Sequence, residues 1–195
     1  RAKLVSRAEA FIGFGQAAKP DALKAHEIGS AFGFAAEDKG WAFIEPALAY
    51  ALASTNQSER STILNTLAAK ADPRIAGELV SGATNLPISP SEIYTLLGGA
   101  FSNSGAIDTV WPAFKDTFDE TVAKLPEVRK QQVAGFAGSL CSDERAADAK
   151  AFFESKAELI PGYERKLAQG LEQSKLCAAQ LKTRIPEFEA EIAKR

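Results

Sequence analysis

The stretch that decides the fold class is Ile107-Asp-Thr-Val-Trp-Pro-Ala-Phe-Lys-Asp-Thr-Phe-Asp-Glu-Thr-Val122. Its large apolar residues recur at steps of three, one, three, four and four: Ile107, Val110, Trp111, Phe114, Phe118 and Val122. This spacing forms one apolar stripe at the period of an α-helix. We therefore predict a helix from about Ala106 to Lys124. Its aromatic stripe is expected in the core rather than around a pocket.

The composition extends this prediction to the whole chain of 195 residues. The chain contains 36 alanines and 17 leucines but only 6 valines. Alanine and leucine favour helices, whereas β-branched residues favour strands. We predict an all-α protein of about ten helices, stacked as antiparallel pairs in an α-solenoid of the HEAT or armadillo type. A compact helical bundle is the competing architecture.

Capping residues and prolines mark the expected helix boundaries. Ser89 stands three residues before Glu92, which is the spacing of a capping box. Pro20 is expected to begin a helix that runs on towards Ala36. Further breaks are predicted at Glu37-Asp-Lys-Gly40, Ala71-Asp-Pro73, Leu125-Pro126, Cys141-Ser-Asp143, Ile160-Pro-Gly162 and residues 183–186.

The charge balance argues against several classes of partner. The 23 basic and 25 acidic residues give a net charge of −2. This offers no electrostatic basis for binding nucleic acid or an anionic membrane surface. Apolar runs are only a few residues long, so no membrane span is expected. The sequence leaves the compartment open, cytoplasmic or extracytoplasmic, because a targeting signal would lie upstream.

The residues offer no self-contained active site. His26 is the single histidine, and zinc sites and acid–base pairs usually need more. We expect it on a helix face, with no metal ligand and no catalytic residue in this chain. The glycines of Gly13-Phe-Gly15 and Gly98-Gly99 do not continue into a phosphate-binding motif. They are expected to let helices approach closely.

Two further features concern cysteine and methionine. Cys141 and Cys177 are far apart and form no metal-binding motif, so we predict two small buried side chains. A disulfide between them stays open. The chain contains no methionine, even at position 1. This predicts a part excised from a longer protein.

The last third of the chain resembles a known family. Trp111-Pro-Ala-Phe114 opens a helix, and Phe136-Ala-Gly-Ser-Leu-Cys-Ser-Asp-Glu-Arg145 follows it. Then come Ala151-Phe-Phe-Glu-Ser-Lys156 and Pro161-Gly-Tyr-Glu-Arg-Lys-Leu-Ala-Gln-Gly-Leu-Glu172. This order is similar to the C-terminal helical domain of the gluzincin zinc aminopeptidases. That group includes aminopeptidase N and the puromycin-sensitive and endoplasmic-reticulum aminopeptidases.

The extent of this resemblance varies along the chain. It is best over residues 105–181 and looser over 36–104, where Gly40-Trp41 resembles a helix start of the family. The matching motif residues are Trp41, Trp111, Phe114, Gly162, Arg165, Gln169 and Glu172. Residues 1–195 are accordingly expected to form one helical-repeat domain.

The resemblance implies a role rather than a site. In that family an upstream catalytic domain holds the zinc, and the helical domain covers the active-site chamber and limits the size of peptide substrates. The parent protein would be a zinc metallopeptidase that removes N-terminal residues from peptides. This chain would contact its upstream zinc domain and the peptide. The alternative is a free-standing HEAT-like scaffold for protein–protein interaction.

Two basic residues are candidates for peptide contact. Arg165 or Lys166 could bind the carboxylate of a peptide, because guanidinium groups suit bidentate carboxylate binding. The competing interpretation is that Arg165 joins helices or caps backbone carbonyls.

Overall fold

The computed structural model of the protein describes residues 1–192, with side chains for residues 1–184 and 192. Over this range the chain is all-α, with eleven α-helices, six short 3-10 segments and no strand. The α-helices are α1 Ala2–Ile12, α2 Ile28–Lys39, α3 Trp41–Ala53, α4 Gln57–Lys70, α5 Pro73–Gly82, α6 Pro90–Ser102, α7 Ile107–Asp116, α8 Phe118–Lys124, α9 Glu127–Lys130, α10 Asp143–Ser155 and α11 Glu164–Ile192. The 3-10 segments are Pro20–Ala22, Ala25–Glu27, Ala83–Asn85, Ser104–Ala106, Gln131–Ser139 and Ala157–Leu159.

The helices form two compact units, Arg1–Leu125 and Pro126–Arg195. In the first unit α2, α4 and α6 pack side by side, while α5 packs against α7. This order, with alternate helices as neighbours, is compatible with the expected α-solenoid. The single helical-repeat domain stays a prediction.

Aromatic side chains fill the core of the first unit. Phe114 is fully buried and packs edge-to-face on Phe101 and Phe118, with ring centroids 5.2 and 5.4 Å away. Trp111 is also buried. The prediction that this stripe belongs to the core is therefore confirmed.

Several boundary predictions are also confirmed. The Ser89 hydroxyl accepts from the Glu92 amide at 3.4 Å, and the Glu92 carboxylate accepts from the Ser89 amide at 2.8 Å. Asp72 caps α5 by accepting from the amide of Ile75 at 3.0 Å. These contacts satisfy amide groups at helix starts that have no partner within the helix.

Gly99 explains how closely α4 and α6 pack. A Cβ at Gly99 would collide with the carbonyl oxygen of Asn65 on α4. The expectation of close helix approach is therefore confirmed at this glycine. Gly13 instead ends α1 with a φ of 76°, a conformation that side chains rarely adopt.

The predicted helix from Ala106 to Lys124 is wrong in its continuity. Thr117 separates α7 from α8, and its hydroxyl donates to the carbonyl of Ala113 at 2.9 Å. The Thr117 amide also donates to the Ala113 carbonyl, at 3.3 Å, so the interruption is confined to this one residue. The apolar stripe nevertheless stays buried on both helices.

The helix predicted from Pro20 towards Ala36 is also wrong at its start. Two 3-10 segments precede α2, and Leu23 between them is extended. Arg7 explains the interruption. Its guanidinium donates to the Ala22 carbonyl at 2.7 Å and pairs with Glu27, so a side chain occupies the carbonyl that a continuous helix would use for a backbone hydrogen bond. At the other end α2 runs through the predicted turn to Lys39, and only Gly40, with a φ of 55°, breaks it.

The second unit departs from the prediction in two places. The helix expected after Pro126 is one turn of α9 followed by the 3-10 segment Gln131–Ser139. The break expected at residues 183–186 is absent, because α11 continues to Ile192.

Candidate functional site

The candidate site is the turn that leads into α11. Ile160 and Tyr163 are buried on either side of Pro161 and Gly162. Gly162 has a φ of 78°, and a Cβ there would lie 3.2 Å from the side-chain oxygen of Gln131. The backbone conformation therefore favours glycine at this point. The turn is rigidly placed by buried side chains.

The first turn of α11 then presents its basic residues to solvent. Arg165 and Lys166 are exposed, whereas Leu167 is buried beneath them. Among the side chains that the structure describes, neither cation forms a hydrogen bond or an ion pair. Positive charge near a helix N-terminus opposes the helix dipole. The charges of these two residues therefore do not stabilise the helix dipole of α11.

The other residues that carry the family resemblance are either buried or exposed. Gln169 and Glu172 are exposed, and they follow Arg165 at steps of four and three residues. This spacing puts the three polar residues on one exposed face of the helix. Gly162 shapes the turn, while Trp111 and Phe114 lie in the core of the first unit.

Gly170 fixes the position of this helix face. A Cβ at Gly170 would lie 3.0 Å from the amide of Gly138 and 3.1 Å from the carbonyl of Gly135. The backbones of α11 and residues 131–139 are thus nearly in contact. Arg165 is held on a helix that cannot shift without breaking this packing.

A disulfide joins the same two elements seven residues further along. Cys141 and Cys177 form a disulfide with their Cα atoms 5.1 Å apart. The disulfide that the sequence left open is therefore present, and both cysteines are half-buried rather than buried. The spacing of 36 residues gave no signal, since only the fold brings both cysteines together.

Two ion pairs of the first unit are buried or partly buried, Arg60–Glu92 and Arg7–Glu27. Glu92 is 1% exposed and pairs with Arg60, whose Nη2 lies 3.0 Å from its Oε2. Burial raises the pKa of Glu92, but hydrogen bonds from Arg60 and Ser89 outweigh it and lower that pKa overall.

Arg7 binds Glu27 through two hydrogen bonds of 2.7 and 2.6 Å. These bonds, with one from the Lys24 amide, lower the pKa of Glu27 to about 2.

The remaining candidate is His26. His26 is exposed and sits in the 3-10 segment Ala25–Glu27 rather than on a long helix. Among the side chains that the structure describes, those of residues 1–184 and 192, no group of three His, Cys, Asp or Glu residues is placed to hold a metal ion. No described helix is both long and apolar enough to span a membrane. No reaction step is assigned to a metal held by this chain.

The sequence did not indicate that Trp41 lies at the surface. It is 40% exposed and lines an apolar groove with Leu48, Leu79 and Leu86. In the sequence it looked like the packed start of a helix, and nothing local indicated the groove.

Comparison with known proteins bears on the family to which the chain belongs. A family model described as ERAP1-like C-terminal domain matches residues 4–176. The match begins much nearer the N-terminus than the resemblance over residues 105–181 suggested. No curated protein sequence matches the chain.

Proposed function

Because this chain belongs to the ERAP1-like C-terminal domain family, we propose that it is the non-catalytic C-terminal part of a zinc aminopeptidase. It covers the active-site chamber of the upstream catalytic domain and limits which peptides enter. The upstream domain would hold the zinc, which would supply a water activated for hydrolysis of the first peptide bond. The family match over residues 4–176 is the observation that carries this proposal.

Arg165 and Lys166 are proposed to contact the distal end of the peptide. They are exposed, they lack partners among the described side chains, and the turn beneath them is fixed by Gly162 and Tyr163. The Arg165 guanidinium and the Lys166 ammonium both carry charged N–H groups that can donate to a carboxylate. A peptide long enough to reach this turn gains an ionic contact, and a dipeptide does not.

The test compares long and short substrates in the full-length parent enzyme. With Arg165→Ala we expect KM for a long peptide to rise about fivefold, the effect of about 1 kcal/mol for an exposed charged contact. Its kcat and the kinetics of a short chromogenic substrate should not change, since neither involves the distal contact. Lys175→Ala, which removes an exposed cation elsewhere on α11, is the matched control.

A second substrate makes the test specific. The same long peptide with a C-terminal amide lacks the carboxylate, so Arg165→Ala should leave its KM unchanged. If KM for both peptides is unaffected while thermal stability falls, Arg165 is a structural residue and the contact is refuted. If aminopeptidase activity does not purify with the parent protein, the proposed function itself fails.

The disulfide adds a proposal about the compartment. Disulfides persist in oxidising surroundings and are rare in the cytosol of most organisms. We infer that the parent acts in an extracytoplasmic or lumenal compartment. Thiol labelling of the protein in intact source cells tests this: full labelling of Cys141 and Cys177 without reductant would contradict it.

A further inference from the structure

A small cavity in the first unit is formed by α1, α2 and the start of α4. Its apolar wall consists of the buried side chains of Phe11, Leu23 and Ile28. Leu23 lies between the two 3-10 segments that precede α2, where Arg7 holds the neighbouring backbone in place. The cavity has a volume of about 130 Å³. Concave sites that are mostly apolar, with a few polar groups, are where small ligands bind.

A polar wall of the same cavity comes from the first two turns of α4. Ser58, Glu59 and Thr62 line it, together with Asn56, which caps this helix. The Thr62 hydroxyl donates its proton to the Ser58 carbonyl at 2.9 Å, so its oxygen is left to accept a hydrogen bond. This wall therefore presents hydrogen-bond acceptors, one of which is a carboxylate.

Glu59 brings a negative charge to the cavity without a neighbouring cation. It is half-buried, and it forms no ion pair with a side chain that the structure describes. Its Oε1 accepts from the Ser54 hydroxyl at 2.9 Å. Burial, the charge of Glu59 and a hydrogen bond to Glu59 raise the pKa of Tyr50, so this phenol keeps its proton. Hydroxyl groups thus orient the carboxylate but do not neutralise it.

The carboxylate of Glu59 is not used to cap α4. In a capping box it would accept from the backbone amide of Asn56. That amide donates instead to the hydroxyl of Ser54, at 3.2 Å. Arg60, the next residue, pairs with Glu92. Glu59 is therefore available to a cation in the cavity.

We propose that this cavity binds a primary alkylammonium group of about four carbons, the chemistry that a lysine side chain shares with a free linear amine. The three N–H donors of the ammonium are matched by the Glu59 carboxylate and the hydroxyl oxygens of Ser58 and Thr62. The alkyl chain packs on the apolar wall. A cavity of about 150 Å³ can hold a benzene ring, so 130 Å³ suits the roughly five non-hydrogen atoms of butylammonium.

Titration of the oxidised 195-residue chain with butylammonium chloride, followed by amide NMR at constant ionic strength, tests the proposal. We expect saturable shifts around Leu23, Ile28 and Glu59. The dissociation constant should be on the order of 1 mM, because so small a ligand forms few contacts. Butanol has the same chain without the charge and should bind about tenfold more weakly or worse, since it forms no charge-assisted hydrogen bond with Glu59.

Variants locate the charge that binds the ligand. Glu59→Gln keeps an acceptor oxygen for Ser54 but removes the charge, so it should raise the dissociation constant of butylammonium about tenfold or more. Thr62→Val conserves the shape and removes one acceptor, and a several-fold rise is expected. Glu45→Gln is the matched control, because Glu45 is an exposed glutamate of the same unit that does not line the cavity. Circular dichroism checks that each variant keeps its fold.

Two further ligands distinguish the sources of the amine. Nα-acetyl-lysine amide presents a lysine side chain as a peptide does, and its Nε-acetylated form lacks the charge. If the first displaces butylammonium and the second does not, the cavity takes lysine side chains of peptides. If butylammonium binds and neither displaces it, the cavity takes free amines.

Several results would overturn the proposal. They are the absence of a saturable shift, equal affinity for butylammonium and butanol, and shifts spread over the surface instead of around the cavity. A dissociation constant that Glu59→Gln leaves unchanged, or that Glu45→Gln raises as much, would also refute it. These measurements use the chain alone and no peptidase assay, so their result is independent of the proposed function.

Discussion

Each of the two units of the molecule is stabilised internally by different interactions. The first, Arg1–Leu125, relies on aromatic packing and on partly or fully buried ion pairs such as Arg60–Glu92. The second, Pro126–Arg195, relies on backbone contact at Gly170 and on the Cys141–Cys177 disulfide. The smaller unit has less surface to bury, and a covalent link compensates for a small core.

This difference predicts that the two units respond to different perturbations. Acid acts on carboxylates, and the carboxylates with the best-formed ion pairs lie in the first unit. A reductant acts on the disulfide of the second. Both tryptophans, Trp41 and Trp111, lie in the first unit, so their fluorescence reports on it alone. Hydrogen exchange of peptides from residues 126–192 reports on the other.

The largest expected effect is that of Phe114→Ala in the first unit. Removing this fully buried ring leaves a cavity among Phe101, Trp111 and Phe118, at a cost of about 3–5 kcal/mol in the free energy of unfolding. Denaturant unfolding followed by tryptophan fluorescence measures this loss. Should the variant not fold, Phe114→Leu gives a smaller loss in the same direction. An unchanged midpoint for both variants would contradict the packing described here.

Removal of the disulfide is expected to rank second. Cys141→Ser with Cys177→Ser frees a loop of 36 residues, which should lower the stability of the second unit by about 2–4 kcal/mol. Hydrogen exchange should accelerate in residues 126–192 and stay unchanged around Trp111. Equal acceleration of hydrogen exchange in both units would show that the stability of the first unit also depends on the disulfide.

Glu92→Gln is expected to cost about 1–3 kcal/mol. It leaves the Arg60 guanidinium beside a buried neutral group and weakens the cap on Ser89. Fluorescence-detected unfolding of the first unit is the measurement. Glu78→Gln is the matched control, because the Arg74–Glu78 pair is exposed and its loss should not be measurable. A similar loss in both variants would refute the role of the buried pair.

The smallest effect concerns acid. The pKa of Glu27 is about 2 in the fold, below the value near 4.5 of a free glutamate. Its ionised form therefore stabilises the first unit above pH 4.5, and this contribution is lost as the pH falls towards 2. Glu27→Gln should make the unfolding midpoint of the first unit less dependent on pH in this window. An identical pH profile for both proteins would rule out the Arg7–Glu27 contribution.

The sequence was most informative where the determinants are local. The caps at Ser89 and Asp72 depend on residues three apart, and the stripe through Trp111 and Phe114 depends on helical period. Both were predicted correctly. The all-α class follows from composition in the same way.

The misses involve contacts between distant segments. The guanidinium of Arg7 donates to the carbonyl of Ala22, fifteen residues away, where periodicity predicted a continuous helix. The disulfide joins cysteines 36 residues apart, which no local pattern reveals. At the candidate site the sequence indicated Arg165. Its exposed position depends on the close packing of α11, at Gly170, against the backbone of residues 131–139.

The most direct test of the account is the native mass and activity of the protein that contains this chain. An antibody against residues 1–195 is used on lysate of the source cells, and the captured protein is assayed for aminopeptidase activity with and without a zinc chelator. We predict a band several times larger than 20.8 kDa and activity that the chelator abolishes. A band near 20.8 kDa with no peptidase activity would contradict the proposal and favour a free-standing interaction scaffold.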